Sequence, residues 1–306
     1  MSASASHSLG NRNHPLVMVV PYLWLGLFFA LPFAIVIKIS LAEAVLGQPP
    51  YTPLWRSAAD GARELALNWE NYALLLSDDL YIAAFLNSLR IAGIATAICL
   101  LIGYPMAYAI ARATPGWRAV MLMLVVLPFW TSFLIRVYAW MGILSTNGLL
   151  NNFLISLGVI DEPLTLMHTD FAIYLGIVYS YLPFMVLPLY ATLSRMDLSL
   201  LEAAADLGAP PWRAFLRITL PLSLPGITAG CLLVMIPATG EFVIPDLLGG
   251  PDALMIGKIL WTEFFTNRDW PMASALATGL VILLVGPFVG LQMLRNRQDR
   301  ADEAGA

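Results

Sequence analysis

Residues 199–221 read SLLEAAADLGAPPWRAFLRITLP, and the order of residue types in them governs how the chain on either side is read. Ser199 followed three positions later by Glu202 fits a capping box, in which the hydroxyl takes a free backbone N–H and the carboxylate returns to the serine amide. A short helix is expected to start there. Ala203, Ala204 and Ala205 give that helix a slim side, and Gly208 supplies the left-handed residue that ends it. Pro210 and Pro211 force a turn, and Pro211 suits the first position of a second short helix running through Trp212 and Phe215 toward Pro221. The expected product is a pair of short helices outside the membrane, shaped to enter a groove in another protein.

Outward from this loop the chain turns apolar in both directions. Of 306 residues, 59% are apolar and 12% charged, with a mean hydropathy of +0.76. Soluble domains carry about 25% charge, so the composition excludes an ordinary cytosolic enzyme and a disordered chain. The net charge of −4 offers no basic field for nucleic acid. A bilayer core roughly 30 Å thick needs about 20 apolar residues per helix. Six stretches reach that length, at about 16–37, 85–111, 119–143, 171–193, 224–247 and 273–294. The expectation is an all-α integral membrane protein with six transmembrane helices over 15–295, a loop at 195–221, and short tails at 1–14 and 296–306. The first stretch is too long for the apolar core of a secretion signal and is read as an uncleaved span. Between the first two spans, Trp55, Trp69 and Tyr72 suit short interfacial helices.

Lys and Arg accumulate on the cytoplasmic side of spans. With both termini inside, the inner segments hold Arg12, Arg112, Arg118, Arg195, Arg213, Arg217, Arg295, Arg297 and Arg300. The outer segments hold Lys38, Arg56, Arg63, Lys258 and Arg268, outnumbered by carboxylates from Glu43 to Asp269. That acidity is either the plain counterpart of the positive-inside bias or a surface that concentrates cations. Cys99 and Cys231 sit in apolar runs, and His7, His14 and His168 stand apart, so neither a disulfide framework nor a metal site is expected.

The string Glu202-Ala203-Ala204, three residues, Gly208, nine residues, Ile218-Thr219-Leu220-Pro221 resembles the EAA signature of binding-protein-dependent ABC importer permeases. Further runs are similar to the polyamine importer permeases, nearest the putrescine type: Trp130 to Trp140 (WTSFLIRVYAW), Gly240 to Pro245 (GEFVIP) and Asn267 to Pro271 (NRDWP). The resemblance implies the MetI-like permease fold in the bacterial inner membrane. It implies that Glu202, Ala203, Ala204, Gly208, Leu220 and Pro221 belong to the coupling helices that dock on a nucleotide-binding subunit. The partners it implies are a second, non-identical permease, two copies of an ABC ATPase, and a periplasmic polyamine-binding protein. ATP and Mg would be used by the ATPase, with no cofactor and no catalytic residue on this chain. Consistently, the chain carries no Gly-rich phosphate cradle: Gly257-Lys258 is followed by Ile259 and has Asp252 where the first Gly belongs.

Ionisable groups at membrane depth are costly, about 2.5–3.5 kcal/mol at a helix centre. Arg90 and Arg136 sit toward the outer ends of spans two and three, where either snorkels to the interface or pairs with a carboxylate. Glu241 follows Pro237 and Gly240 in the outer half of span five, where the helix is free to unwind. Its carboxylate either compensates a substrate ammonium or forms a salt bridge with Arg136 or Arg90. Trp130, Tyr138 and Tyr181 are candidates for cation–π contact along the path, or else packing residues. Asp246 and Glu263 belong at the outer mouth, as attractors of cations, as contacts for a docked binding protein, or as solvated acids. The expected function is ATP-driven import of putrescine or spermidine by alternating access. The alternatives are an importer permease for another small solute and an ion-coupled secondary transporter.

Overall fold

The computed structural model describes residues 14–57, 63–250 and 253–286, and the chain divides into two units, Leu76–Thr262 and Met1–Leu75 with Glu263–Ala306. In the first unit, three long apolar helical runs, Asp79–Arg112, Asp170–Leu193 and Pro211–Thr239, pack on one another. Hydrophobicity alone does not drive such packing in lipid, so small residues that let backbones approach must do so. Along Asp79–Arg112 the buried positions include Ala84, Ser88, Ala92, Ala95, Cys99, Gly103 and Ala107, a stripe of slim side chains every three or four residues, with Ile91, Tyr104 and Ile110 buried beside it. Gly226 and Gly230 serve the opposing contact. A Cβ on Gly226 would lie 2.6 Å from Thr192 Oγ1, and one on Gly230 would lie 2.7 Å from Met185 Sδ. Asp78 starts the first of the three helices by accepting the Leu80 N–H at 2.8 Å.

Three features depart from the simplest sequence reading. The expected span at 119–143 is broken: Pro115–Val126 tightens into a 3-10 turn at Leu127–Trp130, and a new helix runs over Phe133–Leu144. Pro128 has no N–H to continue the ladder, and the Thr131 hydroxyl bonds back to the Pro128 carbonyl at 2.8 Å, closing a turn in place of the helix. The second helix of the 195–221 loop is continuous with the fifth span, as one run Pro211–Thr239. Pro221 would clash with the carbonyl four residues back in a regular helix, and the wider π turn at Phe215–Thr219 lets the helix pass it.

The third departure concerns the stretch 224–247. Its helix stops at Thr239, and the chain folds back through Val243–Leu247 and Ile256–Trp261. Ile244, Leu248, Met255 and Ile256 on this segment are fully buried. Its irregular backbone is satisfied by neighbouring groups, as dry surroundings demand. Asn87 Nδ2 donates to the Leu254 carbonyl at 2.8 Å, and the Ile256 N–H donates to Ser88 Oγ at 2.8 Å. The His168 N–H donates to the Leu248 carbonyl at 3.0 Å, and His168 Nδ1 lies 2.9 Å from the Gly249 carbonyl.

In the second unit, the span Val19–Ser40 buries none of its most apolar window. Its end is held by Asn71, whose Nδ2 donates to the Ser40 and Ala42 carbonyls at 3.0 and 3.1 Å, and by a 2.6 Å bond between Ser40 Oγ and the Tyr72 hydroxyl. Trp55 does not join a short interfacial helix: Trp55–Ser57 pairs antiparallel with Arg63–Leu65. Tyr72 lies on the helix Glu70–Ser77, just after Trp69. The last apolar stretch is helical over Trp270–Gly286, with Trp270 stacked on Phe264 at 5.1 Å. The 1–13 part of the N-terminal tail and the C-terminal tail, with Arg295, Arg297 and Arg300, lie outside the described residues.

The glycine contacts are testable. Gly226→Ala forces a methyl into Thr192 and is expected to cost about 1–3 kcal/mol, the usual range for overpacking. Gly93→Ala, with open space around its Cβ, is expected to leave stability level or raise it. Thermal midpoints in detergent check both.

Candidate functional site

The 195–221 loop and a cavity beside Glu241 are two places where the fold gathers chemistry. In the loop, the helix Ser199–Asp206 is started by Asp197, whose carboxylate accepts the Ser199 N–H at 3.0 Å. The capping box expected from Ser199 and Glu202 does not form, because Asp197 sets the helix start two residues earlier and places Ser199 inside the first turn. The Ser199 amide and hydroxyl hold the Asp197 carboxyl below the ordinary carboxylate range. Gly208 ends the helix with φ of +76°. The Gly208 N–H reaches the Ala205 carbonyl at 2.8 Å and the Ala209 N–H the Ala204 carbonyl at 2.9 Å, the paired bonds of a Schellman ending.

This turn presents an apolar tip. Leu207 is 88% exposed, and Leu198, Leu200, Trp212 and Leu216 are exposed around it. Glu202 and Ala203 are exposed while Ala204 is buried, so the small-residue face is partly used within the chain. Leu220 and Pro221 lie in the long helical run that continues from the loop. The base of that run is held to the second span by Tyr104, which meets Phe215 edge-on at 5.6 Å and shares a 3.0 Å hydrogen bond with Ser223.

The cavity lies where the third span breaks and the fifth one stops. It encloses about 520 Å³ and is lined by Phe129, Phe133 and Arg136 from one side, Ser180, Tyr181 and Phe184 from the fourth span, and Pro237 and Gly240 to Val243 from the fifth. Glu241 is 7% exposed. Its Oε1 accepts the N–H groups of Phe242 at 3.1 Å and Val243 at 3.0 Å, capping the re-entrant helix. Its Oε2 accepts the Tyr181 hydroxyl at 2.5 Å. An ionised carboxylate has about four acceptor positions, so Oε2 keeps capacity for a further donor. Gly257 supports the same corner: a Cβ there would lie 2.4 Å from the Gly240 carbonyl and 2.6 Å from that of Glu241.

Arg136 lines the same cavity at 9% exposure. Its guanidinium carbon stands 5.4 Å from the Phe129 ring centre and 5.7 Å from that of Phe133, and its Nε and Nη1 have no hydrogen-bond partner. It neither snorkels outward nor pairs with Glu241, the two structural roles its position suggested. Arg90 does pair, with Asp170 at 2.9 Å in an exposed bridge.

Of the path candidates, the fold brings Tyr181 and Glu241 together and leaves the others elsewhere. Trp130 is 73% and Tyr138 57% exposed, and neither lines the cavity. The break at Thr131–Ser132 points Phe129, Phe133 and Arg136 inward in their place. Asp246 stands 3.7 Å from Lys258, and Glu263 accepts a bond from Asn267 at 2.9 Å. Phe129, Phe133, Ser180, Phe184 and Phe242 were not anticipated. An unbroken helix over 119–143 gives no reason to prefer Phe129 over its neighbour Trp130, whereas Ser180 and Phe184 flank Tyr181 and were within reach of that choice.

The chain matches the family described as binding-protein-dependent transport system inner membrane component over residues 15–291. It is 41% identical over 278 residues to the spermidine/putrescine transport system permease protein of Haemophilus influenzae, covering 90% of this chain and 92% of that one. The protein of the same description from Escherichia coli is 44% identical over 261 residues, covering 85% and 90%. A crystal structure of a bacterial ABC transporter involved in the import of the acidic polysaccharide alginate superposes with a TM-score of 0.66 at 19% identity, over 94% of this chain and 96% of that one. With its all-α, membrane-spanning fold, the chain belongs to the inner-membrane components of binding-protein-dependent transport systems and is a transport permease, not an enzyme.

Proposed function

We propose that this permease carries a polyamine, putrescine or spermidine, from periplasm to cytoplasm by alternating access, with both termini cytoplasmic. The single observation that carries the reading is the buried Glu241 carboxylate in an aromatic-walled cavity, with acceptor capacity left on Oε2. Ammonium groups are well served there, because the carboxylate supplies charge and Phe129, Phe133 and Phe184 supply ring faces. The relatives' polyamine descriptions support the same substrate class. Within this reading, a second permease, two ATPase copies and a periplasmic binding protein complete the complex. The Ser199–Asp206 helix and its Leu207–Gly208 tip form the docking lever on the ATPase. ATP binding draws the levers together, and release of ADP and phosphate lets them part.

Uptake of labelled putrescine into vesicles carrying the whole complex tests both halves. Glu241→Gln removes one charge-assisted interaction of about 1.5–3 kcal/mol and is expected to raise KM roughly 10- to 100-fold; an unchanged KM removes Glu241 from the path. Gly208→Leu cannot hold the +76° turn and is expected to cut uptake at least about tenfold while the subunit still inserts. Glu202→Lys on the exposed face of the lever is expected to do the same. Normal uptake by both lever variants refutes the coupling role.

A further inference from the structure

Two opposite buried charges line one cavity, yet no ion pair joins them. Glu241 is held by Tyr181 and by backbone amides, while Arg136 lies against two phenylalanine rings with Nε and Nη1 unpartnered. Buried guanidinium nitrogens are costly without acceptors, and the ring faces offset only part of that cost. A permanent salt bridge would have been the cheap solution, since both residues already face the same space. Holding them apart keeps an acceptor position on Glu241 open and leaves a cation waiting beside it.

We propose that Arg136 is a tethered competitor for Glu241: when the cavity closes toward the outside, its guanidinium takes the open position on Oε2 and displaces the cargo ammonium inward. The inference rests on Glu241 as the ammonium acceptor. It makes Arg136 a residue of release, where a guanidinium merely lining a cation path would oppose entry. The geometry suits the exchange. Arg136 sits in the first turn past the break at Thr131–Ser132, its N–H bonded to the Ser132 carbonyl at 3.2 Å, and its long side chain lines the same cavity as Glu241. Arginine stays charged throughout and offers several N–H donors, so its bond to Oε2 is charge-assisted like that of the ammonium it replaces, and its tether keeps it at hand. Once formed, the internal pair also blocks rebinding from the inside.

The test uses the complete complex in vesicles, with assembled complex quantified for every variant, and compares Arg136→Gln, Arg136→Lys, Glu241→Gln and the double variant. Arg136→Gln is expected to lower kcat for putrescine uptake about tenfold or more and to lower KM with it, because cargo stays bound. Arg136→Lys is expected to recover a large part of kcat, since an ammonium still competes. Adding Arg136→Gln to Glu241→Gln is expected to change kcat little, both acting on one step. Normal kcat for Arg136→Gln beside an impaired Glu241→Gln overturns the proposal and leaves the acceptor reading standing. So does a rise in KM alone, which marks direct contact with cargo, or full additivity in the double variant. Normal kinetics for Glu241→Gln instead overturn the acceptor reading itself, and this proposal with it.

Discussion

After Thr239 the chain leaves its long helix inside protein, and the hydrogen bonds that replace the ladder along the described residues 240–250 and 253–255 are the constraint on which the rest depends. In a medium without water each unpaired backbone group is costly, so irregular chain survives only where side chains or other backbone meet it. Asn87, Ser88 and His168 meet the far end of this segment, and Glu241 meets its start by capping the re-entrant helix. The same carboxylate therefore stabilises the fold and equips the cavity. Its position is fixed by the backbone it satisfies.

Close approach is the second requirement, and small residues meet it. The stripe from Ala84 to Ala107 and the contacts at Gly226 and Gly230 let three helices meet nearly backbone to backbone. Larger side chains, such as Ile177, Met185 and Leu189 on the fourth span, fill what remains. Gly176 extends the same logic to the re-entrant segment, with Ile244 and Leu248 against its Cα. Packed in this way, the segment behaves as part of the bundle and not as a surface loop.

Much of this was legible in residue order. Apolar length located the helices Asp79–Arg112 and Asp170–Leu193, because a bilayer demands it, and Gly208 announced its left-handed turn because no other residue type adopts it so readily. Pro237 and Gly240 marked where the fifth helix yields, and Glu241 with Tyr181 were singled out on chemistry alone. Less legible were events decided by local competition. Pro128 carries no distinct signal within an apolar run, since prolines at 105, 183, 188, 225 and 237 sit inside intact helices, whereas at this site the Thr131 hydroxyl closes a turn on the Pro128 carbonyl. Once the helix broke there, the side facing inward changed, which is why Phe129 and Phe133 line the cavity and Trp130 and Tyr138 do not. Asp197 likewise outcompeted Ser199 as a cap, two equally polar candidates separated by one residue.

The π turn at Phe215–Thr219 carries a mechanical meaning beyond letting the chain past Pro221. Because of it, the piece beginning at Pro211 and the piece ending at Thr239 form one helical run, which crosses Asp170–Leu193 at Gly226 and Gly230. At 1.5 Å per residue the arm from Pro211 to that crossing is about 22 Å, and the arm from Gly230 to Thr239 is about 14 Å. A tilt of the whole run about that glycine crossing would turn a push of a few ångströms at the Pro211 end into a displacement at the doorstep of Glu241 reversed in direction and about two thirds as large.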